Sequence, residues 1–426
     1  MDRAHDNALT RRRLLQGLAT ATAAALLPPV VRAQAPSGAA PIGPYNPDVL
    51  PRGIRSRFVN NVNGIRIHVL EAGFEGGPRP AVLMVHGFPE LAYSWRKVMP
   101  AIAAEGYHVF APDLRGYGRT SGTDVQFDDD LSPFRTLNSV RDMVGLVNAF
   151  GYRSVAAIVG HDFGSPVAAW CAVVRPDIFR SVVMMSAPFG GPPSVPFNTA
   201  DAPPSAPPAP DSIYDELAKL QPPRKHYQRY YSTREANANM HKPPQGLHAF
   251  LRAYYHMKSA DWPQTPAPLR ARTAEEWAKL PRYYVMDLDK GMAETVAPEM
   301  PSPAQIAANK WLPDAELRVY SEEYGRNSFQ GGLQSYRVGS SGRFNSEQQL
   351  FAGRTIDQPS MFIGGRSDWG VYQNPGSVER MQKAACTQML GVHLVDGAGH
   401  WVQQEQPGVV SQLILQFLKA SQQKGR

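Results

Sequence analysis

Two cysteines in 426 residues, Cys171 and Cys386, are too few for a scaffold of several disulfides, and neither has a second Cys or a His nearby at metal-ligand spacing. Both read as buried apolar residues. No stretch approaches the run of about 20 uncharged apolar residues that a membrane-spanning helix needs. There is also no dense basic run. The formal charge of +7 comes from 44 Lys+Arg against 37 Asp+Glu, but five of the basic residues (Arg3, Arg11, Arg12, Arg13, Arg32) lie in the first 35 positions. Without that segment, which also holds Asp2 and Asp6, 39 basic residues face 35 acidic ones, a net charge of +4. That weak, dispersed charge argues against nucleic acid as a partner. No internal repeat is visible. What the chain does have is 43% hydrophobic residues over a length that buries a sizeable core, as one α/β domain with a large insertion or as two or three lobes.

The N-terminal arginines belong to a pattern. Thr10-Arg11-Arg12-Arg13-Leu14-Leu15-Gln16 precedes an alanine-rich apolar run to Leu27, then Pro28, Pro29 and the small-residue site Ala33-Gln34-Ala35. Residues 1–35 resemble a bacterial twin-arginine export signal, the alternative being an amphipathic or disordered N-terminus. The resemblance implies engagement of the twin-arginine export machinery, a periplasmic or secreted location, and a soluble mature chain starting near Gln34 or Pro36. Residues 36–51 read as a flexible Pro-rich lead-in.

From Ile65 onward, short β-branched runs alternate with helix-like segments. Ile65–His68, Ala81–Val85, His108–Ala111, Val155–Val159 and Ser181–Met185 read as strands, with helices near 95–105, 137–150 and 165–174 between them. This alternation predicts a mostly parallel sheet flanked by helices. It breaks off after Ser181–Met185, taken as the sixth strand of the complete sheet, at a Pro/Ala/Ser tract from Pro192 to Pro210 that cannot lie in a sheet. It returns at Ser360–Ile363 and Val392–Val395, before a closing helix near 409–418. The expected organisation is therefore a core from 52 to 190, a long, mainly helical lid with its Pro-rich linker from 191 to 349, and the rest of the core from 350 to 426. A lid placed there lies over the strand ends where α/β sites form.

Three motifs carry chemistry. Gly160-His161-Asp162-Phe163-Gly164 joins a strand to a helix with small residues two positions either side of Asp162, as a sharp nucleophile turn demands. A carboxylate there attacks an sp3 carbon to make an alkyl ester, whereas a serine makes an acyl enzyme. An Asp at this place can also simply cap the helix. His86-Gly87-Phe88-Pro89 follows a strand, so the backbone amides of Phe88 and Phe163 are candidates for an oxyanion hole, with His86 packed under the loop. Near the C-terminus, Gly397-Ala398-Gly399-His400-Trp401 presents a histidine on a glycine turn, and the chain order nucleophile, acid, histidine favours Asp368 over Asp396 as its acid.

With Pro112-Asp113-Leu114-Arg115-Gly116-Tyr117-Gly118 and Gly399-His400-Trp401 added, the chain from about 55 to 420 resembles the epoxide hydrolase family of α/β-hydrolases. The resemblance implies an α/β-hydrolase fold, hydrolysis of a small apolar epoxide by water, no metal or organic cofactor, and a monomer or homodimer. It also implies two lid tyrosines that donate to the epoxide oxygen. Tyr227 in Tyr227-Gln228-Arg229-Tyr230-Tyr231 and Tyr336 in Ser335-Tyr336-Arg337 match the two lid motifs, with Tyr230, Tyr231, Tyr283, Tyr284 and Tyr320 as substitutes. Trp95, Trp369 and Trp401 are expected in the substrate pocket. The lid departs from the family by its length, notably from Trp262 to Trp311.

Two other functions share parts of this pattern. A haloalkane or haloacid dehalogenase uses the same Asp, His and acid, but needs halide donors, and the Phe163 side chain offers none. A catalytically silent binding protein on the same scaffold would bind ligand without turnover.

Overall fold

The computed structural model describes residues 42–193 and 212–424. The export-signal segment and most of the Pro-rich tract lie outside the described residues. The unit from Pro44 onward is built on an eight-stranded sheet ordered β1-β2-β4-β3-β5-β6-β9-β10. Its strands are β1 (Ile54–Val62), β2 (Ile65–Ala72), β3 (Ala81–Val85), β4 (His108–Pro112), β5 (Ala157–His161), β6 (Val182–Met185), β9 (Ser360–Gly365) and β10 (Met389–Val395). The pairs β1·β2 and β2·β4 are antiparallel, and every other neighbouring pair is parallel.

Local sequence explains this arrangement. β3, β5 and β6 are buried along their whole length, as continuous apolar runs covered on both faces must be. β1, which the sequence reading did not identify as a strand, is an edge strand. Its Arg55, Ser56, Arg57, Asn60 and Asn61 interrupt the apolar pattern and are only partly covered. Four core helices flank the sheet: α1 (Met99–Ala104), α2 (Thr136–Ala149), α3 (Gly164–Val174) and, after the lid, α8 (Pro407–Lys424). α3 is apolar nearly all round and nine of its eleven residues are buried, which makes it a rigid base for whatever precedes it.

Between β6 and β9 lies the lid. Its principal helices are α4 (Tyr227–Tyr231), α5 (Leu247–Met257), α6 (Asp314–Asn327) and α7 (Gln330–Ser341), with a small antiparallel pair, β7 (Arg224–His226) and β8 (Val285–Asp287). Lid and sheet share one continuous apolar core, so the lid is packed down rather than hinged off. Within the extension from 262 to 311, β8 braces β7, and the Tyr284 carbonyl accepts the Tyr227 amide at 2.8 Å. The extension thus props the segment carrying Tyr227 and does not form a wall of the central cavity.

One boundary needs correction. The lead-in was expected to stay flexible to residue 51, but from Pro44 it is folded onto the core. Tyr45 is buried against His68 and Tyr93, its amide bonds Ser56 Oγ at 2.8 Å, and Val49 accepts from the Tyr93 hydroxyl at 3.1 Å. The aromatic anchor Tyr45 outweighs the local proline content.

Candidate active site

Asp162 sits at the turn between β5 and α3 with φ +51°, a left-handed conformation that costs an L-residue strain and that surrounding packing must hold. The flanking glycines allow it. A Cβ on Gly164 would lie 2.3 Å from the Val85 carbonyl oxygen, and one on Gly160 would lie 2.0 Å from that of Gly164. No side chain fits at either place, so the small-x-Asp-x-small spacing is a direct consequence of the turn.

The carboxylate has two different surroundings. Its Oδ1 accepts the Phe88 amide at 2.8 Å, and its Oδ2 lies 3.2 Å from His400 Nε2, at ion-pair distance but without hydrogen-bond alignment. Of the two amides expected to serve as an oxyanion hole, Phe88 therefore points at Asp162, whereas Phe163 makes no hydrogen bond to that side chain. His86 lies under the loop as expected. Its Nε2 accepts the Leu114 amide at 2.9 Å, so Nδ1 is the atom that donates to the Gly87 carbonyl at 2.8 Å. Burial lowers its proton affinity and keeps it neutral.

His400 and Asp368 are both almost fully buried. His400 Nδ1 is 3.1 and 3.2 Å from the two carboxylate oxygens of Asp368, whose Oδ1 also accepts the Gly370 amide at 2.7 Å. Asp396 instead points to solvent and pairs with Arg366. Burial alone would raise both catalytic-site carboxyls. The His400 imidazole beside them reverses this and holds Asp162 and Asp368 below the usual carboxylate range. For His400, burial and the nearby Lys258 ammonium push downward, the two carboxylates push upward, and the carboxylates prevail.

Sequence reasoning missed a second layer beneath this triad. His161, buried next to Asp162, has Nδ1 2.6 Å from Glu90 Oε2 and Nε2 2.7 Å from the His400 carbonyl. Glu90 in turn accepts the Gly87 amide at 3.1 Å and Gln403 Nε2 at 2.7 Å. The pair ties the Phe88 loop, the nucleophile turn and the histidine turn together. The one available signal was Glu90 itself, a carboxylate in an otherwise apolar stretch directly after His86-Gly87-Phe88-Pro89.

Above Asp162 lies a cavity of about 620 Å³ walled by Asp162, Phe163, Tyr227, Ser335, Tyr336 and Gln373, among others. Tyr227 and Tyr336 thus face the same space as Asp162, their ring centroids 6.1 Å apart. Burial and the Asp162 charge raise both phenols far above their ordinary range, so they stay protonated donors. Tyr336 is placed by α7, whose Gly331 approaches Gly116 so closely that a Cβ there would meet the Gly116 carbonyl at 2.1 Å. None of Tyr230, Tyr231, Tyr283, Tyr284 and Tyr320 lines the cavity. Tyr320, for example, bonds Ser94 and Gln404 in the core.

The tryptophans expected in the pocket are not there. Trp95 and Trp401 are fully buried in the core, Trp401 donating Nε1 to the Tyr255 carbonyl at 2.8 Å and stacking on that ring, and Trp369 is packed against the core outside the cavity. Proximity in sequence to His86-Gly87-Phe88-Pro89 or His400 does not fix which way a large ring faces. The apolar surface comes instead from Phe163 and Pro166, which also border a side chamber of about 220 Å³ lined by Phe134, Val167, Trp170 and Val338. Among the described residues no cluster of three His, Cys, Asp or Glu side chains could hold a metal.

A carboxylate on a strained strand-to-helix turn, a His–Asp pair behind it and a donor-lined cavity above it stand on an α/β-hydrolase fold. The family model described as alpha/beta hydrolase fold matches residues 80–407. Epoxide hydrolase B of Mycobacterium tuberculosis is 30% identical over 367 residues, covering 84% of this chain and 96% of the relative. Epoxide hydrolase A of the same organism is 31% identical over 377 residues, covering 84% and 95%. The solved structure of an epoxide hydrolase from an endophytic Streptomyces superposes with a TM-score of 0.68 at 30% identity, covering 87% of this chain and 96% of that one. The chain belongs to the α/β-hydrolase fold family and, within it, to the epoxide hydrolase family.

Proposed function

We propose that this enzyme opens epoxides to vicinal diols through a covalent ester on Asp162. The observation that carries the reading is the arrangement of Asp162 between His400 on one side and a cavity shared with Tyr227 and Tyr336 on the other. Oδ1 is engaged by the Phe88 amide, which leaves Oδ2 to attack an epoxide carbon. As that bond forms, the carbon–oxygen bond of the ring breaks, and the alkoxide takes a hydrogen bond and then a proton from the tyrosine pair. A hydroxyalkyl ester results.

In the second step water attacks the ester carbonyl carbon while His400 Nε2 accepts its proton and Asp368 stabilises the imidazolium. The oxyanion develops on Oδ1, where the Phe88 amide already points, with the amide of Phe163, the next residue in the chain, as the second donor we assign. Collapse expels the diol, whose departing oxygen takes the remaining proton of the attacking water, and the imidazolium proton returns through solvent to the tyrosinate, which restores carboxylate, imidazole and phenol. Alkylation itself prepares the base: once Asp162 is an ester, its negative charge no longer favours the protonated imidazole, and His400 becomes easier to deprotonate. The test is incubation with styrene oxide and, in parallel, a chloroalkane. Diol from the first and no chloride from the second supports the reading, and the reverse moves it to dehalogenation.

Residues 1–35 we read as a twin-arginine export signal that places the enzyme in the periplasm or outside the cell. Replacing Arg11 and Arg12 by Lys should leave the chain in the cytoplasm, and undiminished export would overturn that assignment.

A further inference from the structure

Lys258, just past the end of α5, is 3% exposed, and no hydrogen bond or ion pair to its ammonium is seen among the described residues. Four aromatic rings surround it instead: Trp401 at 5.2 Å, Tyr254 and Tyr284 at 5.3 Å, and Tyr283 at 5.7 Å. A cation can be held by aromatic faces in this way, but burying one without a carboxylate partner is costly and calls for a reason. Its surroundings supply one. The Lys258 carbonyl accepts the His400 amide at 2.8 Å, and the Trp401 ring that faces the ammonium lies 4.7 Å from the His400 ring, so ammonium and imidazole are within 10 Å of one another.

We propose that Lys258 is a positioning residue for the reaction, a fixed lid charge that keeps His400 in its base form while the Asp162 ester is hydrolysed. The inference rests on the two-step reading above. The groups that face the His400 ring divide into two sets. Asp162 approaches from the turn after β5, Asp368 from the loop after β9, and His161 from beneath with its ring 5.0 Å away and Glu90 behind it. Glu405 binds the amides of Gly399 and Trp401 on the same turn. Asp162 and Asp368 favour the imidazolium, burial pushes Glu405 up to about 8 and leaves it largely uncharged near neutral pH, and Lys258 is the cation set against the two aspartates from the lid. In the free enzyme Asp368, the larger influence, and Asp162 together outweigh Lys258. In the ester the Asp162 charge is gone, and Lys258 is then weighed mainly against Asp368. In that state His400 must take the proton of the attacking water at Nε2 as the water oxygen bonds the ester carbon, so an imidazole already protonated there is inactive.

The experiment is a pH titration of the His400 imidazole by NMR in Asp162→Asn, whose neutral amide stands in for the uncharged ester, with and without Lys258→Met. Removing a unit charge from within 10 Å at an effective dielectric of about 20 should move the His400 midpoint up by about one unit, and Lys258→Arg should restore it. With Asp162 intact, the acid limb of ester hydrolysis should move up by the same amount in Lys258→Met. An unshifted midpoint in a folded Lys258→Met variant overturns the proposal. If the methionine variant does not fold, Lys258→Gln, which keeps a polar donor in the aromatic box, is read by the same criterion. The titration requires no turnover, so absence of diol would contradict the functional reading while leaving this result standing on its own.

Discussion

The two lid tyrosines offer the sharpest separation of chemistry from folding. Tyr336 makes no protein hydrogen bond through its hydroxyl among the described residues, so Tyr336→Phe removes a donor without orphaning a partner, and the melting temperature should not move. Tyr227 accepts Gln228 Nε2 at 3.2 Å and reaches Gln373 only at 3.5 Å. Losing such contacts is worth at most about 1 kcal/mol, or a few degrees in melting temperature. The effect on the first chemical step should be far larger. Removing one preorganised donor from a developing oxyanion typically costs about 10²–10³ in rate, and Tyr227 and Tyr336 both wall the cavity above Asp162. Each single variant should therefore slow alkylation about 10²-fold, and the double variant should show essentially no ester formation. Rapid-quench single turnover with excess enzyme and styrene oxide, scored by mass of the modified protein, reads this step directly. A folded double variant that alkylates within tenfold of the parent would refute the role of the pair.

Other predictions follow from the same geometry. His400→Gln should stop after the first step, so that one equivalent of epoxide is consumed and the protein gains the full mass of the substrate; continued turnover would remove His400 from the mechanism. The two steps should also differ in pH dependence. Asp162 is held below the carboxylate range and the phenols far above theirs, so alkylation should be flat from about pH 5 to 9, while ester hydrolysis should fall on the acid side as His400 is protonated. Stopped-flow measurement of both steps across that range checks this, and coincident profiles would contradict it. Gly164→Ala would bring a Cβ to 2.3 Å from the Val85 carbonyl and should cost about 1–3 kcal/mol by urea unfolding, with reduced alkylation from a displaced Asp162.

The sheet was largely legible because its central strands are short apolar runs bounded by turns, a pattern that depends on nothing far away. Edge strand β1 was not, since only a two-faced, half-covered strand tolerates the polar residues in Ile54–Val62. Asp162, Asp368 and His400 could be read from local turn chemistry and chain order, which constrain backbone position. Side-chain direction is another matter. Trp95 and Trp401 are drawn into the core by neighbours such as Tyr255, more than 140 residues from Trp401 in sequence. The Glu90–His161 pair and the aromatic box around Lys258 arise in the same way, from contacts between segments that no local pattern connects.

The most direct test of the central claim is a single turnover in 18O-labelled water with enzyme in excess of styrene oxide. The ester mechanism predicts that the first diol carries unlabelled oxygen drawn from Asp162 and that the label appears in the Asp162 carboxylate. Label entering the diol in the first turnover, with none in Asp162, would mean that water attacks the epoxide directly, and the assignment of Asp162 as nucleophile would be wrong.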